Sequence, residues 1–375
     1  MEPKEKLNQL RQQIDLLDKE LIRLFQDRLF LTDEIAEVKV VGNIAINDLT
    51  REDQVIEAAM ARVNSENHED IANYMRGVIA ISKLRQNKRL LPEGDLFFPV
   101  SAEAKKQDNT VAFQGTAGAW GEEAAMRMFP NAALCQADYF EDVFTKVKSG
   151  EADFGAVPIE NSQTGAIGEV YDLLRRYGCY IVSQVWIPVA HCLMANKDTN
   201  LDNIREVYSH PEGFRQCYRF LKNKHWELTA SSNTAIAART VARNNDLRSA
   251  AIGSKRAAEI SGLAVLAQDI MDDPGNKTRF IAIAAQPVYD KSSDIVCVTF
   301  STAHKSGALC TVLQSFMQAG INLSRIESRP ASGGNYRFFA DLNANILDDK
   351  ITAALKRASV NCDYFEILGC YSTMG

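Results

Sequence analysis

The chain has 375 residues, a length that predicts two or three domains. With 46% apolar and 24% charged residues, its composition is that of an ordinary globular protein with enough apolar side chains to form real cores. The net charge of −6 argues against nucleic-acid binding and gives no reason to expect a membrane surface. An anionic ligand therefore has to be attracted by locally placed Arg and Lys.

The cysteines and the start of the chain predict a cytoplasmic protein. The eight cysteines are scattered singly, without a Cys-x-x-Cys pair or a His at ligand spacing, which favours free thiols in a reducing compartment. The first residues lack the apolar core of a signal peptide, and no apolar run reaches the ~18 residues of a membrane span. We expect no metal, no cofactor and no membrane segment.

Residues from about 5 to 40 predict one long helix with a coiled-coil seam. Apolar residues recur at alternating steps of three and four, at Leu7, Leu10, Ile14, Leu17, Leu21, Leu24, Leu31, Ile35 and Val38. Arg28 occupies a position in the same seam. An arginine can snorkel from the edge of a core, but in the middle of a seam its charge needs a partner or a ligand.

The spacing of basic residues on this helix predicts a second copy of the chain. Arg11 and Lys39 are separated by about 42 Å of helix, and Arg11 and Arg28 by about 25 Å, at ~1.5 Å per residue. No small ligand spans either distance. Arg11 can reach a ligand held by Arg28 only if it arrives from a second, antiparallel helix.

Two further helices complete an all-α unit at residues 1–92. The first opens after Asp48, which leads into Arg51 and Glu52, and the second covers about 69–90. Ser82 and Gln86 are four residues apart on the second helix, so they share one face. Residues 93–109 are punctuated by Pro and Gly and predict a linker.

Residues 110–286 alternate between strand and helix patterns, which predicts an α/β domain with mostly parallel strands. The length of this region, and a chain that leaves and returns, indicate two lobes around a cleft.

Two polar stretches of this domain lie where buried strands break, the usual place for ligand groups in α/β folds. One is Val157-Pro158-Ile159-Glu160-Asn161-Ser162, followed by Gly165, and the other is Asn276-Lys277-Thr278-Arg279-Phe280. A hydroxyl between an amide and a guanidinium can hold an anion and donate a proton. A Thr that enters a strand is, however, often only a β-former whose hydroxyl is satisfied locally.

Residues 293–375 follow the order strand, helix, strand, strand, helix, strand, which predicts a ferredoxin-like α+β domain. Gly307-Ala308-Leu309 stands at a strand-to-helix turn, where helix amides can hold a carboxylate. Glu327-Ser328-Arg329-Pro330 ends the next strand. Ordinary turn chemistry explains both segments equally well.

Together, these segments resemble the bifunctional chorismate mutase–prephenate dehydratases over nearly the whole chain. The resemblance implies a helical mutase domain, a dehydratase domain similar to the two-lobed periplasmic binding proteins, and an ACT regulatory domain. It implies that chorismate is rearranged to prephenate, that prephenate is decarboxylated and dehydrated to phenylpyruvate, and that phenylalanine inhibits. It also implies a helix-swapped homodimer or a higher homo-oligomer.

The resemblance further implies a role for individual side chains. The mutase pocket would consist of Arg11 and Arg28 on the two carboxylates, Lys39 and Gln86 at the ether oxygen, Asp48 and Glu52 at the hydroxyl, with Arg51 and Ser82 completing it. In the dehydratase pocket Thr278 would donate a proton, Glu160 is the alternative proton source, and Arg279 would hold a carboxylate. The other dehydratase residues would be Asn161, Ser162, Ser209, Gln216, Thr234 and Phe280. Phenylalanine would bind between two ACT domains at Gly307, Ala308, Leu309, Asn322, Glu327, Ser328 and Arg329.

Departures from the family's motifs leave other functions open. The turn Gly115-Thr116-Ala117-Gly118-Ala119-Trp120 lacks hydroxyls of the usual Gly-Pro-x-Gly-Ser-Tyr-Ser, and a tight turn that needs Gly accounts for it as well. His210 precedes Pro211 and is expected to cap a helix and not to act as a base. The alternatives are a catalytically inactive, two-lobed ligand-binding regulator with a helical dimerisation domain, and a protein with dehydratase activity alone.

Overall fold

The computed structural model describes residues 3–42, 44, 49–90, 98, 109–331 and 336–373. These residues cluster into two units. The first contains the described residues of 1–97, 301–320 and 350–364, and the second contains those of 98–300, 321–349 and 365–375. The two units do not coincide with the boundaries 1–92, 93–109, 110–286 and 293–375, which stay a prediction.

The helices and strands are numbered in chain order. The helices are α1 Pro3–Gly42, α2 Leu49–Met60, α3 His68–Leu90, α4 Trp120–Met128, α5 Phe140–Ser149, α6 Gly168–Tyr177, α7 Pro211–Gln216, α8 Tyr218–Leu221, α9 Thr234–Asn244, α10 Lys255–Ser261, α11 Ala308–Gln318 and α12 Asp349–Val360. The strands are β1 Thr110–Gln114, β2 Ala133–Ala137, β3 Phe154–Asn161, β4 Gly165–Ala166, β5 Tyr180–Pro188, β6 Cys192–Ala195, β7 Glu206–Ser209, β8 Glu227–Ala230, β9 Ser249–Gly253, β10 Ala264–Ala267, β11 Lys277–Ala284, β12 Ile295–Ser301, β13 Leu323–Pro330, β14 Tyr336–Asn343 and β15 Tyr364–Tyr371.

The N-terminal region is helical, and its first helix is long, as the heptad pattern predicts. The 40-residue α1 packs on α3, and α3 packs on α2. The seam residues Leu7, Leu10, Ile14, Leu17, Leu21 and Leu24 are nevertheless 45–65% exposed. A continuous exposed apolar stripe of this kind is typical of surfaces that take part in protein–protein contacts.

Residues 110–284 form two lobes, because the chain leaves one sheet after β5 and returns to it with β11. The first lobe contains β1–β5 and β11, and the second is a five-stranded sheet in the order β10-β6-β9-β7-β8. Most of these strands run in one direction within their sheet, as predicted, and apart from the two-residue β4 each lobe has one reversed strand. β11 runs antiparallel to both of its neighbours, β3 and β5, and β6 runs antiparallel to β9 and β10.

The C-terminal strands extend the sheet of the first lobe to ten strands. Its order is β13-β14-β12-β15-β5-β11-β3-β1-β2, with β4 paired to β3. Within it, β13-β14-β12-β15 is the strand order of a ferredoxin-like fold, which confirms the predicted β-α-β-β-α-β pattern. Cys297, Phe339, Leu368 and Tyr371 belong to the same apolar cluster as Tyr171 of the first lobe.

The two parts of this sheet join between β5 and the C-terminal segment, where Gln184 and Thr373 form a second backbone bridge. β15 meets β5 through a parallel pairing of Gly369 with Ile181. A Cβ atom at position 369 would lie 2.1 Å from the carbonyl oxygen of Ile181. Only a residue without a side chain allows the two backbones to approach so closely.

Candidate active site

A cavity of about 270 Å³ has walls from both lobes of the α/β region. The first lobe contributes the ends of β3 and β11, and the second contributes the starts of α7 and α9. The predicted residues Asn161, Gln216, Thr234, Thr278 and Phe280 line this cavity. The two polar stretches singled out in the sequence therefore meet at one site.

Thr278 lines the cavity, and its hydroxyl oxygen accepts a hydrogen bond from the neighbouring strand. It pairs in register with Asn161 across β3 and β11, and the Asn161 Nδ2 group donates to the Thr278 Oγ1 atom at 3.0 Å. The orientation of the Asn161 amide is fixed, because its Oδ1 atom accepts from the backbone amides of Gln163 and Thr164 at 2.9 and 3.1 Å. Since Oγ1 already accepts a hydrogen bond, its own hydrogen is left for a ligand.

Arg279 and Glu160 face away from the cavity, which corrects their expected roles. Successive side chains of a strand point to opposite faces, so the neighbours of Thr278 and Asn161 lie on the other side of the sheet. There Arg279 is buried against Asp341 at 2.7 Å and Glu160 at 3.3 Å. Arg279 cannot hold a carboxylate in the cavity from this position, and Glu160 cannot supply a proton to it.

Two predicted pocket donors build the site without lining it. Ser162 is exposed, and its hydroxyl accepts from the backbone amide of Lys277 at 3.0 Å, which pins the turn after β3 to the start of β11. Ser209 is fully buried and donates to the carbonyl of Ile252 at 3.0 Å. The hydrogen of Ser209 is used by a backbone carbonyl, and neither residue belongs to the cavity lining, which corrects their assignment as ligand donors.

His191 is a cavity residue that the sequence analysis missed. It is 2% exposed, and its Nε2 atom lies 2.8 Å from Gln216 Oε1. The Gln216 Nε2 group donates to Glu212 at 3.1 Å, so Oε1 has to be the acceptor and His191 the donor. Burial lowers the pKa of His191, which keeps the ring neutral. Its apolar surroundings in sequence, Val189-Ala190-His191-Cys192, are typical of a core histidine and gave no other signal.

Helix starts, and no cationic side chains of the described residues, lie at the wall of this cavity. The described residues that line the cavity include no Lys or Arg. Instead α4, α6 and α9 begin at its wall, through Trp120, Ile167 and Thr234. Unpaired amides and the helix dipole favour negative charge at such ends. The expectation of locally placed Arg and Lys is therefore wrong for this cavity.

Two motif predictions from the turns around the cavity are supported. His210 is the N-cap of α7, because its Nδ1 atom accepts from the amide of Glu212 at 3.1 Å, as predicted.

Gly118 has a φ of 92°, and a Cβ atom there would lie 2.9 Å from the Cα atom of Ala257. Its carbonyl accepts from Ser254 of the second lobe at 2.8 Å. The glycine-rich turn thus permits a close approach between the lobes.

A second polar cluster lies in the helical region. Arg28 of α1 donates to the Ser82 hydroxyl of α3, and Ser82 and Gln86 are both buried. Among the described residues, Gln86 Oε1 has no hydrogen-bond partner although it is buried. Burial lowers the pKa of Arg28. The structure therefore brings three of the predicted mutase residues together.

The other predicted mutase residues are placed differently. Glu52 forms an ion pair with Lys83 at 2.8 Å, a partner that the sequence analysis did not identify. Arg11 is exposed on the distant half of α1, Lys39 is half-buried and Arg51 is exposed. Asp48 lies outside the described residues.

The predicted effector residues fall on two elements. Gly307, with a left-handed φ of 79°, is the N-cap of α11, followed by the buried Ala308 and the half-buried Leu309. On β13, Glu327 and Arg329 are half-buried while Ser328 is exposed, so Ser328 faces the opposite side from its neighbours. Asn322, just before β13, is exposed.

Two further properties concern the described residues as a whole. No group of three metal-ligating side chains occurs among them. None of their helices combines the length and the apolarity that crossing a bilayer requires.

Comparison with known proteins separates the chain into the same two functional regions. Residues 111–288 match the family described as prephenate dehydratase, and residues 10–87 match chorismate mutase type II. A bifunctional chorismate mutase/prephenate dehydratase of Enterobacter agglomerans is 31% identical over 99% of this chain and 97% of its own length.

Two solved structures resemble the part of the chain without the helical region. A prephenate dehydratase from Arthrobacter aurescens in complex with L-Phe aligns with a TM-score of 0.63 and 28% identity, over 70% of this chain and 90% of its own. GqqA, described as a quorum-quenching acylase, aligns with a TM-score of 0.64 and 26% identity, over 70% of this chain and 97% of its own. One fold thus carries more than one activity.

The burial of His191 predicts a specific loss of stability in acid. An unfolded histidine binds a proton below its ordinary pKa of 6.5, whereas the folded His191 resists protonation. Stability should therefore fall as pH decreases below 6.5, by up to ~1.4 kcal/mol per pH unit, until the lower folded pKa is reached. Urea unfolding at pH 7.5 and 5.5, followed by tryptophan fluorescence, measures this change, because all three tryptophans lie in the second unit.

The control is His191→Gln, whose amide can still donate to Gln216 but cannot titrate. The stability of wild type should lose more than that of the variant between the two pH values. Equal losses in both proteins mean that His191 takes up its proton in the folded state.

Proposed function

The chain belongs to the family of bifunctional chorismate mutase/prephenate dehydratases, and on that basis we propose which residues serve each reaction and how they are controlled. It carries the chorismate mutase and prephenate dehydratase activities of phenylalanine biosynthesis. The alternatives of an inactive regulator and of a dehydratase alone are therefore set aside.

The dehydratase reaction is assigned to the cavity between the lobes, and the Asn161–Thr278 hydrogen bond is the observation that carries the assignment. Prephenate loses carbon dioxide and its ring hydroxyl, and aromatisation drives the reaction. The departing hydroxyl needs a donor, and Thr278 has its hydrogen available. A Thr hydroxyl is a very poor acid, so it assists by a hydrogen bond that strengthens as the C–O bond breaks and does not transfer its proton completely.

The two carboxylates of prephenate are assigned to the helix starts around the same cavity. α4, α6 and α9 contain 9, 10 and 11 residues, so each carries a substantial dipole. Their amides can take an anion without a cationic side chain. The neutral His191–Gln216 pair then holds one wall of the pocket in a fixed hydrogen-bonding pattern.

The mutase reaction is assigned to the cluster of Arg28, Ser82 and Gln86. The rearrangement of chorismate is pericyclic, so the protein has to hold one conformer and stabilise the charge that develops at the ether oxygen. The guanidinium of Arg28 can bind a carboxylate in a bidentate manner, and Gln86 can reach the ether oxygen. The Glu52–Lys83 pair supplies a further cation beside these residues.

We also propose that each mutase site is built from two chains. The exposed apolar stripe of α1 supports a homodimer in which two such helices pack together. Arg11 lies 17 residues before Arg28 on one helix, too far to share its ligand. The Arg11 of a second copy would complete the site. The eight free cysteines support a reducing, cytoplasmic location for this assembly.

Phenylalanine is proposed as the effector of the C-terminal region, as an ACT domain would sense it. A related prephenate dehydratase has been solved in complex with L-Phe. The start of the 11-residue α11, with Gly307 as its N-cap, offers backbone amides to a carboxylate. Glu327 and Ser328 are proposed as further contacts. Binding inhibits if it favours a less active arrangement of the cleft, a coupling typically worth ~1–3 kcal/mol.

The two activities should separate by mutation, because their residues lie on different regions of the chain. Thr278→Ala should lower the turnover of prephenate by roughly 100-fold or more, the usual worth of a positioned proton donor, while chorismate is still consumed. Arg28→Ala should block chorismate consumption and leave the turnover of added prephenate unchanged. Absorbance assays of both substrates measure this. Thr278→Ser, which keeps the hydroxyl, is the control, and normal prephenate turnover in Thr278→Ala contradicts the assignment.

Mixed dimers should test the two-chain mutase site. Arg11→Ala and Arg28→Ala proteins, each inactive as mutases, are unfolded and refolded together. A mixed dimer has one site with both arginines and one with neither, so random mixing should restore about a quarter of the wild-type activity. Heterodimers that form without any mutase activity show that both arginines act within one chain.

Phenylalanine should lower prephenate turnover in wild type and should do so less in Ser328→Ala. The exposed position of Ser328 makes its substitution harmless to the fold, so uninhibited turnover should stay normal. Turnover is measured against phenylalanine concentration for both proteins. A wild-type enzyme that does not respond contradicts the effector proposal, and an equal response of the variant removes Ser328 from the site.

A further inference from the structure

Arg279 joins the strand of Thr278 to the C-terminal sheet. Its Nη1 group donates to Asp341 Oδ2 at 2.7 Å and to Gln184 Oε1 at 3.1 Å, and its Nε atom lies 3.3 Å from Glu160 Oε2. Asp341 is 1% exposed and belongs to β14, which three other strands separate from β11 in the shared sheet. One guanidinium therefore connects strands from both parts of the sheet.

Asp341 is held in place independently of Arg279. Its Oδ2 atom also accepts from the Nε group of Arg325 on β13 at 3.0 Å, and that guanidinium lies 5.2 Å from the centre of the Tyr171 ring. Burial by itself would raise the pKa of Asp341, but the charges of Arg279 and Arg325 outweigh it and hold the pKa below its usual value. The carboxylate is therefore a fixed, ionised anchor.

The backbone is irregular at the point where Arg279 is anchored. In the pairing of β11 with β3, Thr278 lies opposite Asn161 and Arg279 opposite Glu160, but Phe280 lies opposite Pro158. Ile159 is therefore left out of the register, which is a β-bulge. Bulges interrupt the ladder and re-aim side chains beside active sites. Pro158 also has no N–H group to donate at this point. β11 stays in unbroken register with β5 from Lys277 to Ala282, which fixes Thr278, whereas the pairing with β3, the strand of Asn161, is interrupted at Ile159.

We propose that Asp341 is a positioning residue for the dehydration of prephenate. Together with Glu160, it clamps Arg279 across the bulge and so keeps the adjacent Thr278–Asn161 pair aimed into the cavity. Asp341 touches no cavity residue and acts through Arg279. The inference rests on the proposed role of Thr278, which the Thr278→Ala variant tests separately.

Asp341→Asn tests the clamp, because it keeps the shape of the side chain and removes the charge that two arginines share. We expect kcat for prephenate to fall by about 10- to 100-fold, the effect of a small misplacement at a reacting centre, with a much smaller change in KM. Mutase turnover of the same protein should stay normal and serves as the internal control. Asp294→Asn makes the same chemical change at an exposed residue that lines a second, polar cavity together with Asp341, and it should leave kcat unchanged. Normal kcat in Asp341→Asn overturns the proposal.

A combined variant distinguishes positioning from mere structural support. Arg279→Met and Arg325→Met together with Asp341→Leu replace all three buried charges around Asp341 by apolar side chains, an exchange that often preserves stability. Thermal unfolding should return close to wild type while kcat stays low, because methionine cannot hold Gln184 and Glu160. If kcat recovers together with the stability, the buried ions around Asp341 serve folding only, and the proposal is overturned.

Glu160→Gln decides the question if Asp341→Asn fails to fold. Glu160 is partly exposed, so its substitution leaves the core intact. We expect a lower kcat with an unchanged pH profile, since Glu160 faces away from the cavity. Normal kcat in Glu160→Gln overturns the proposal. A shifted pH profile also overturns it, because it would show that Glu160 acts as a proton donor and does not only hold Arg279. If Thr278→Ala is fully active while Asp341→Asn is slow, the role of Thr278 fails and the clamp acts through Asn161.

Discussion

Neighbouring side chains of a strand face opposite sides of its sheet, and this constraint determines how β11 works. Thr278 and Arg279 are consecutive, yet one faces a ligand cavity and the other a buried ion network. Breaking a buried ion pair by removing one partner costs about 3–5 kcal/mol, a large part of the 5–15 kcal/mol that stabilises a typical domain. Thr278 thus lies on a strand that the buried ion pairs on its opposite face hold firmly in place.

The same constraint separates two electrostatic environments within one sheet. On the side of the ion network, two arginines and two carboxylates compensate each other in a small volume. On the cavity side, the described lining contains no Lys or Arg, and the starts of α4, α6 and α9 lie at its wall. Backbone amides are fixed by their helices and need no reorganisation as charge develops in a reaction. A cationic side chain would have to be ordered first, at a cost in entropy.

The sequence predicted the elements that repeat and missed the details that depend on register. The seam of α1 extends over several heptads, so its period alone gave one helix of the right length. The polar stretches ending β3 and beginning β11 gave Asn161 and Thr278, because ligand groups gather at strand ends. Arg279 and Glu160 were misassigned, since the bulge at Ile159 and the contact with Asp341, 62 residues away, are not visible in the sequence. His191 was missed because its neighbours are apolar, and a histidine among apolar residues is usually part of a core.

Gly369 has a consequence for how the chain can vary. The first lobe and the C-terminal strands share one sheet because β15 can approach the carbonyl of Ile181, and an added Cβ atom would lie 2.1 Å from that oxygen. Any side chain at this position would push the two strands apart. The atom that it would meet is a backbone carbonyl oxygen, which cannot move aside as the end of a flexible side chain can. The continuity of the sheet between the first lobe and the C-terminal strands thus depends on a residue that a single nucleotide change can replace. Lineages that keep the shared sheet have to keep glycine there.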